Sequence, residues 1–348
     1  MAEAAFNEEI RSPRAARALG FATAFFFCSL TAGALVITLL GKVQRPVVVL
    51  DLAAPLQSIA AKPQAVTAEA LPPPVVIDKA VFAGSALVAD PALIENSPMG
   101  PLPRIADDGR KPMTAYAASA VPGKLRIAIV VSGLGVSAKA TTAALASLPA
   151  GVTLGFAPYA GDVQHWVNEA RQFGHEVLLE VPMEPFDFPD SDPGPHTLRA
   201  GVDEDSNLHR LTWSLSRFTG YAGVTNLLGQ RFLSDSDVLS PAMTYLARRG
   251  LYFYDNGIAA QSAAPQVAST TATAFAQSNE TLDDIQTALE IDRHLSALED
   301  QARAHGSAIG SGFLYPVTVE RIAAWSKGLA GRGFVLVPVS AIVNAPKQ

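Results

Sequence analysis

The sequence predicts an α/β protein whose C-terminal two thirds form a β/α barrel, closed or slightly open. It stands behind an N-terminal membrane segment and a Pro/Ala-rich linker. Three observations predict this. From Lys124 onward, short strand-like runs alternate with helix-length stretches. The runs are continuously apolar, as strands are when both of their faces are buried under covering helices. Seven or eight such repeats within about 220 residues make one domain with a substantial core. That number suits a barrel better than a six-stranded open sheet, and a barrel of this class carries its site at the C-terminal ends of its strands.

Residues 18–40, ALGFATAFFFCSLTAGALVITLL, contain no charge over 23 positions. A helix needs about 20 apolar residues to cross the hydrocarbon core, so a retained transmembrane anchor is expected rather than a cleaved signal peptide. Arg11, Arg14 and Arg17 precede it and Lys42 and Arg45 follow it. The short tail 1–17 is therefore expected in the cytoplasm and the domain outside. Residues 41–123 have no hydrophobic period, and twelve of the 25 prolines lie between Val43 and Gly123. Each proline removes a backbone donor, so a disordered tether is expected there.

The domain then follows, over 124–343. Its strand-like runs are 126–131, 153–159, 176–181, 221–228, 251–255, 272–277, 307–314 and 334–340. Helices are expected over 138–148, 163–174 and 238–250, and an amphipathic one over 282–305. Composition excludes several classes. The 49% hydrophobic content rules out a wholly disordered chain, and the single cysteine, Cys28, rules out a disulfide scaffold. Residues 1–123 hold ten basic and ten acidic side chains, so the whole net charge of −6 belongs to the remainder. Nucleic acid is not an expected partner of so acidic a domain.

The strand ends supply the candidates for chemistry: Ser132, Glu180, Glu184, Asn226, Asp255 and Ser311. Asp255 follows Tyr254 and precedes Asn256-Gly257, so its carboxylate is expected at the barrel mouth, as a base, as a sugar ligand or as a turn acceptor. Glu180 and Glu184 mark one strand end with two acids. Gly133-Leu134-Gly135-Val136-Ser137-Ala138 is a GxGxxA string between a strand and a helix, but no acid closes the second strand as a dinucleotide site requires. It reads as a tight turn. The histidines, 165, 175, 196, 209, 294 and 305, form no HxH or HxxxH pair, and 165, 294 and 305 read as helix-surface residues. Asp187, Asp190, Asp192 and His196 share a loop without calcium-loop spacing and read as solvated.

The strings IAIVVSGLG (127–135), GHEVLLEVPMEP (174–185), PGPHTL (193–198), GVTNLLGQRF (223–232), LYFYDNG (251–257), GSAIG (306–310) and VLVPVS (335–340) resemble, in this order, the divergent polysaccharide deacetylase family. The resemblance covers about residues 124–343. It implies an irregular seven-stranded β/α barrel, an envelope location and carbohydrate as the ligand class. It also implies an acid pair after the first strand and histidines after the fourth strand and near the last. Those places hold Ser132-Gly133, Leu227 and Ser311 here, and only the acid after the fifth strand, Asp255, matches. The expectation is a metal-free glycan-binding or regulatory protein, with no cofactor. The rival is a hydrolase of N-acetylated glycan that uses Asp255 and Glu180, with zinc or another divalent metal. A nucleotide-binding domain through Gly133 and Gly135 is third.

Overall fold

The computed structural model describes residues 89–344. The expected tail 1–17, anchor 18–40 and linker residues 41–88 lie outside the described residues. Among the described residues no helix is long and apolar enough to cross a membrane.

The barrel begins with β3 (Leu125–Leu134), followed by α2 (Ala138–Ser147), β4 (Thr153–Phe156), α3 (Val163–Gln172) and β5 (Val177–Met183). It continues with α4 (Glu204–Leu215), β6 (Gly223–Leu228), the short α5 (Gln230–Leu233), α6 (Ser236–Arg248), β7 (Tyr252–Asp255), α7 (Ala264–Thr271) and β8 (Phe275–Gln277). It ends with β9 (Glu280–Thr281), α8 (Ala288–His305), β10 (Ser307–Phe313), α9 (Pro316–Lys327) and β11 (Phe334–Leu336). The strands are parallel, in the order β8-β7-β6-β5-β4-β3-β10-β9. The stretch 275–282 bonds to β7 with its first half and to β10 with its second, so the curled sheet meets itself there. β11 pairs with the first residues of β3, below the part that β4 reaches.

The strands' continuous hydrophobicity has the anticipated cause. In β3, Ile127, Ile129 and Val131 pack outward with the helices, while Ala128 and Val130 belong to a separate inner cluster. Tyr252, Tyr254, Leu178 and Ile309 fill the rest of that interior. Helix starts follow from side-chain caps: Ser137, Asp203, Asp235 and Thr287 each accept a backbone N–H of the helix they open. The last helix expectation is shortened. Residues 280–281 are strand β9, Leu282 is buried in the core, and α8 starts only after the Thr287 cap.

The expected disordered linker requires correction from residue 89 on. A 3₁₀ turn (Pro91–Leu93) leads into the antiparallel hairpin β1 (Ile94–Ser97) and β2 (Gly100–Pro103), then α1 (Pro112–Ala115). Leu93, Leu102, Ala106 and Tyr116 are buried. Arg171 donates to the carbonyls of Tyr116 and Gly220, and Arg249 donates to that of Pro103. Proline density misled because Pro91 and Pro112 open helical turns, where the missing N–H has no helical partner to lose. Pro101 and Pro103 lie in a two-stranded ribbon, which is all edge.

Beneath the inner cluster, Glu176 fastens this segment to the barrel and to the C-terminal turn. Its carboxylate accepts from Ala118 N, Thr153 Oγ1, Tyr252 OH and Ser340 N. Burial raises its pKa in spite of these donors.

Candidate functional site

Strand alternation decides which strand-end residues enter the barrel mouth. Ser132 follows the inward Val130 by two, and Glu180 follows the inward Leu178 by two. Between them β4 presents Gly155. A Cβ there would lie 2.7 Å from Glu180 Oε1 and 3.2 Å from Ser132 Oγ, so the absent side chain makes the room both groups use. Thr225 is the register partner of Glu180 and faces inward too, opposite in sense to the outward Val224. Leu227 continues that inward face. On the far side Ser311 and Tyr254 close the interior, their hydroxyls 2.6 Å apart.

Glu180 is 1% exposed. Its Oε1 accepts the N–H of Gly133 at 2.5 Å, whereas its Oε2 and the Thr225 Oγ1 have no hydrogen-bond partner. Burial pushes the carboxyl up to about 7, against the opposing pull of the Gly133 bond. Near neutral pH the group is therefore divided between acid and carboxylate, the condition for donating or accepting a proton. Gly133 has φ +89° and lies under Phe313, whose ring a Cβ at 133 would meet at 2.5 Å. Phe313 thus rests over the turn that holds Glu180.

The other expected site residues are drawn into structural roles. Asp255 lies on the outward face with Phe253 and is fully buried. Its Oδ1 accepts Gly257 N at 2.9 Å and its Oδ2 accepts Gln277 Nε2 at 3.1 Å. The expectation that it faces the mouth is corrected, and the turn-acceptor reading holds. Glu184 is also spent, by Ala200 N at 2.6 Å and by Arg231 Nη1 at 3.2 Å. Asn226 interlocks with Asn256: its Nδ2 donates to Asn256 Oδ1 and to Leu228 O, and its Oδ1 accepts Asn256 N. That clasp supports Leu228 at φ +55°, a strained conformation for a bulky residue. Glu180, Ser132 and Ser311 share the mouth; Glu184, Asn226 and Asp255 do not.

The histidines stay apart from it. His175 is buried at the opposite end, its Nδ1 donating to Val152 O at 2.9 Å, and burial pushes it down to about 4. His196 stacks on Trp213 with centroids 3.7 Å apart. His294, expected on a helix surface, is instead buried between Glu280 and Asp284. Among the described residues no three His, Cys, Asp or Glu side chains converge to hold a metal ion. Among the described residues the mouth offers one carboxylate, a leucine, the hydroxyls of Ser132 and Thr225, and a serine hydroxyl engaged by Tyr254. That donor set does not fit a divalent hydrolytic metal. The GxGxxA turn is filled by packing: Gly133 by Phe313, and Gly135 by Ala160, 2.6 Å from where a Cβ would stand.

Residues 129–343 match the family described as divergent polysaccharide deacetylase. The chain belongs to that family. Two curated relatives are uncharacterised. YibQ of Escherichia coli K12 is 27% identical over 236 residues, covering 68% of this chain and 72% of the relative. A Haemophilus influenzae protein is 25% identical over 204 residues, covering 59% and 72%. The crystal structure of an uncharacterised Agrobacterium tumefaciens C58 protein is 41% identical, with a TM-score of 0.69, covering 70% of this chain and all of that one. Within this deacetylase fold, Thr225, Tyr254, Gly155 and Phe313 are mouth residues that sequence reasoning passed over. Only the parity of Thr225 two residues before Leu227 hinted at any of them.

Proposed function

We propose that this divergent deacetylase acts by recognition, binding an N-acetylated glycan of the cell envelope at the barrel mouth without a metal. One observation carries the reading. Among the described residues the acid at the mouth is Glu180, with one carboxylate oxygen unpartnered, and its register partner on the next strand, Thr225, has an unpartnered hydroxyl. Such a pair suits an amide or hydroxyl of a sugar, the carboxylate accepting and the threonine donating. The loss of hydrolytic ligands at 227 and 311 supports binding over turnover. The anchor at 18–40 and the periplasmic location belong to the same proposal and rest on the uncharged span and its arginine-bearing tail.

A second reading is favoured by the Glu180 value near 7, which suits a general base activating water toward an acetamide. Calorimetric titration of the full-length protein with N-acetylglucosamine oligomers, beside an acetate-release assay, separates the two. Binding without acetate release, lost in Glu180→Gln, is the expected result. Acetate released by wild type and abolished in Glu180→Gln would replace recognition by hydrolysis, and no binding at all would refute both.

A further inference from the structure

Among the described residues, eight large apolar side chains are more than a third exposed, and seven follow the C-terminal end of a strand. Val136 follows β3, Tyr159 follows β4, Phe186 follows β5 and Ile258 follows β7. Ile285 and Leu289 follow β9, and Phe313 ends β10. Four of them are very open: Val136 at 72%, Phe186 at 69%, Ile285 at 52% and Leu289 at 76%. Random scatter would place such residues on both ends and along the helices. Here they gather at the C-terminal ends of the strands, which is the pattern of an interaction face.

The same end is acidic. The segment between β5 and α4 alone carries Glu184, Asp187, Asp190, Asp192 and Asp203 against Arg199. Arg199 lies over the ring of Phe188, Arg231 is paired with Glu184, and Arg210 donates to the carbonyls of Pro195 and Thr197. Among the described residues, Asp187, Asp190 and Asp192 take part in no ion pair; Asp187 and Asp192 accept only Ser191 Oγ and Gly194 N. All three side chains are exposed to solvent.

We propose that this rim is a docking surface for a cationic, apolar polypeptide segment of another protein. Charge complementarity selects the occupant. A second copy would bring two acidic rims together, and an anionic lipid surface would be repelled in the same way. A sugar gains from aromatic faces, but four of the seven rim residues are aliphatic. A segment that alternates lysine or arginine with aliphatic or aromatic residues satisfies both the apolar ring and the acids. Seated there, it would lie across the opening above Glu180 and control access to it.

Fluorescence anisotropy with the full-length protein tests this, using two synthetic peptides of identical leucine and phenylalanine content, one with alternating lysines and one with glutamates. The lysine peptide should bind and the glutamate peptide should not. The Phe186→Ser/Leu289→Ser double variant should bind the lysine peptide at least about tenfold more weakly, as loss of central apolar anchors does. Asp187→Asn/Asp190→Asn should flatten the dependence on ionic strength. Both variants alter exposed residues and should keep the wild-type melting temperature. They also leave Glu180 untouched, so binding of N-acetylglucosamine oligomers should persist and fail or succeed independently. Equal affinity of the lysine peptide for wild type and the double serine variant, equal binding of both peptides, or no binding would overturn the proposal. Self-association of wild type that the serine variant loses would assign the face to a second copy instead.

Discussion

Replacing Glu180 by glutamine should stabilise the protein at alkaline pH and leave it unchanged in acid. Burial pushes the carboxyl up to about 7 in the folded state, from the ordinary glutamate value of 4.5. The folded protein therefore holds a proton that the unfolded chain has released, and stability falls as pH rises through that window. A displacement of this size corresponds to about 3 kcal/mol, at 1.36 kcal/mol per unit, all of it lost once pH exceeds 7. Glutamine removes the titration while its carbonyl oxygen can still accept from Gly133 N. Its amide replaces the unpartnered oxygen by a neutral group that costs less to bury than a carboxylate. The net gain at pH 8 should therefore be about 1–3 kcal/mol, and about zero at pH 4. Glu176 is also shifted upward, but it is present in both proteins and cancels from the difference. Urea denaturation of both proteins across this pH range provides the measurement. Parallel stability curves for wild type and variant would refute the assignment of a desolvated, singly bonded carboxylate at the mouth. The stability forgone at neutral pH is the expected signature of a group retained for binding rather than for folding.

Leu93→Ala should destabilise the domain by about 2–5 kcal/mol, since Leu93 is fully buried; a change under about 0.5 kcal/mol in chemical denaturation would mean that residues 89–123 do not pack. Asp255→Ala should cost about 1–3 kcal/mol by orphaning the Gly257 N–H and the Gln277 amide, and should leave glycan affinity at wild-type level in calorimetry. Gly155→Ala places a methyl group 2.7 Å from Glu180 Oε1, so it should cost about 1–3 kcal/mol and abolish glycan binding, whereas retained binding would move the ligand elsewhere.

The barrel was legible in the sequence because burial on both faces leaves a plain mark: strands such as 126–131 have no polar alternation, and helix-length stretches separate them. The strand ends were legible as well, and with them the short set of residues that could do chemistry. The same lack of alternation hid which of those residues point inward. Leu178, Leu179 and Val181 are all apolar, so nothing local tells that Glu180 enters the mouth, while Asp255, a strand-end acid of similar appearance, turns outward. Parity relative to the barrel axis decides that, and closure of the sheet sets the parity. Distant partners decided the rest: Gln277 engages Asp255, Ala200 and Arg231 engage Glu184, and a glycine on β4 opens the space around Glu180. The proline-rich stretch shows the same division. Its composition argues against a core of its own, yet Leu93, Leu102 and Tyr116 are buried because the barrel supplies the surface they need. Sequence determines which segments must be covered by something; only the closed tertiary structure determines by what, because burial depends on neighbours that the chain brings together from far apart.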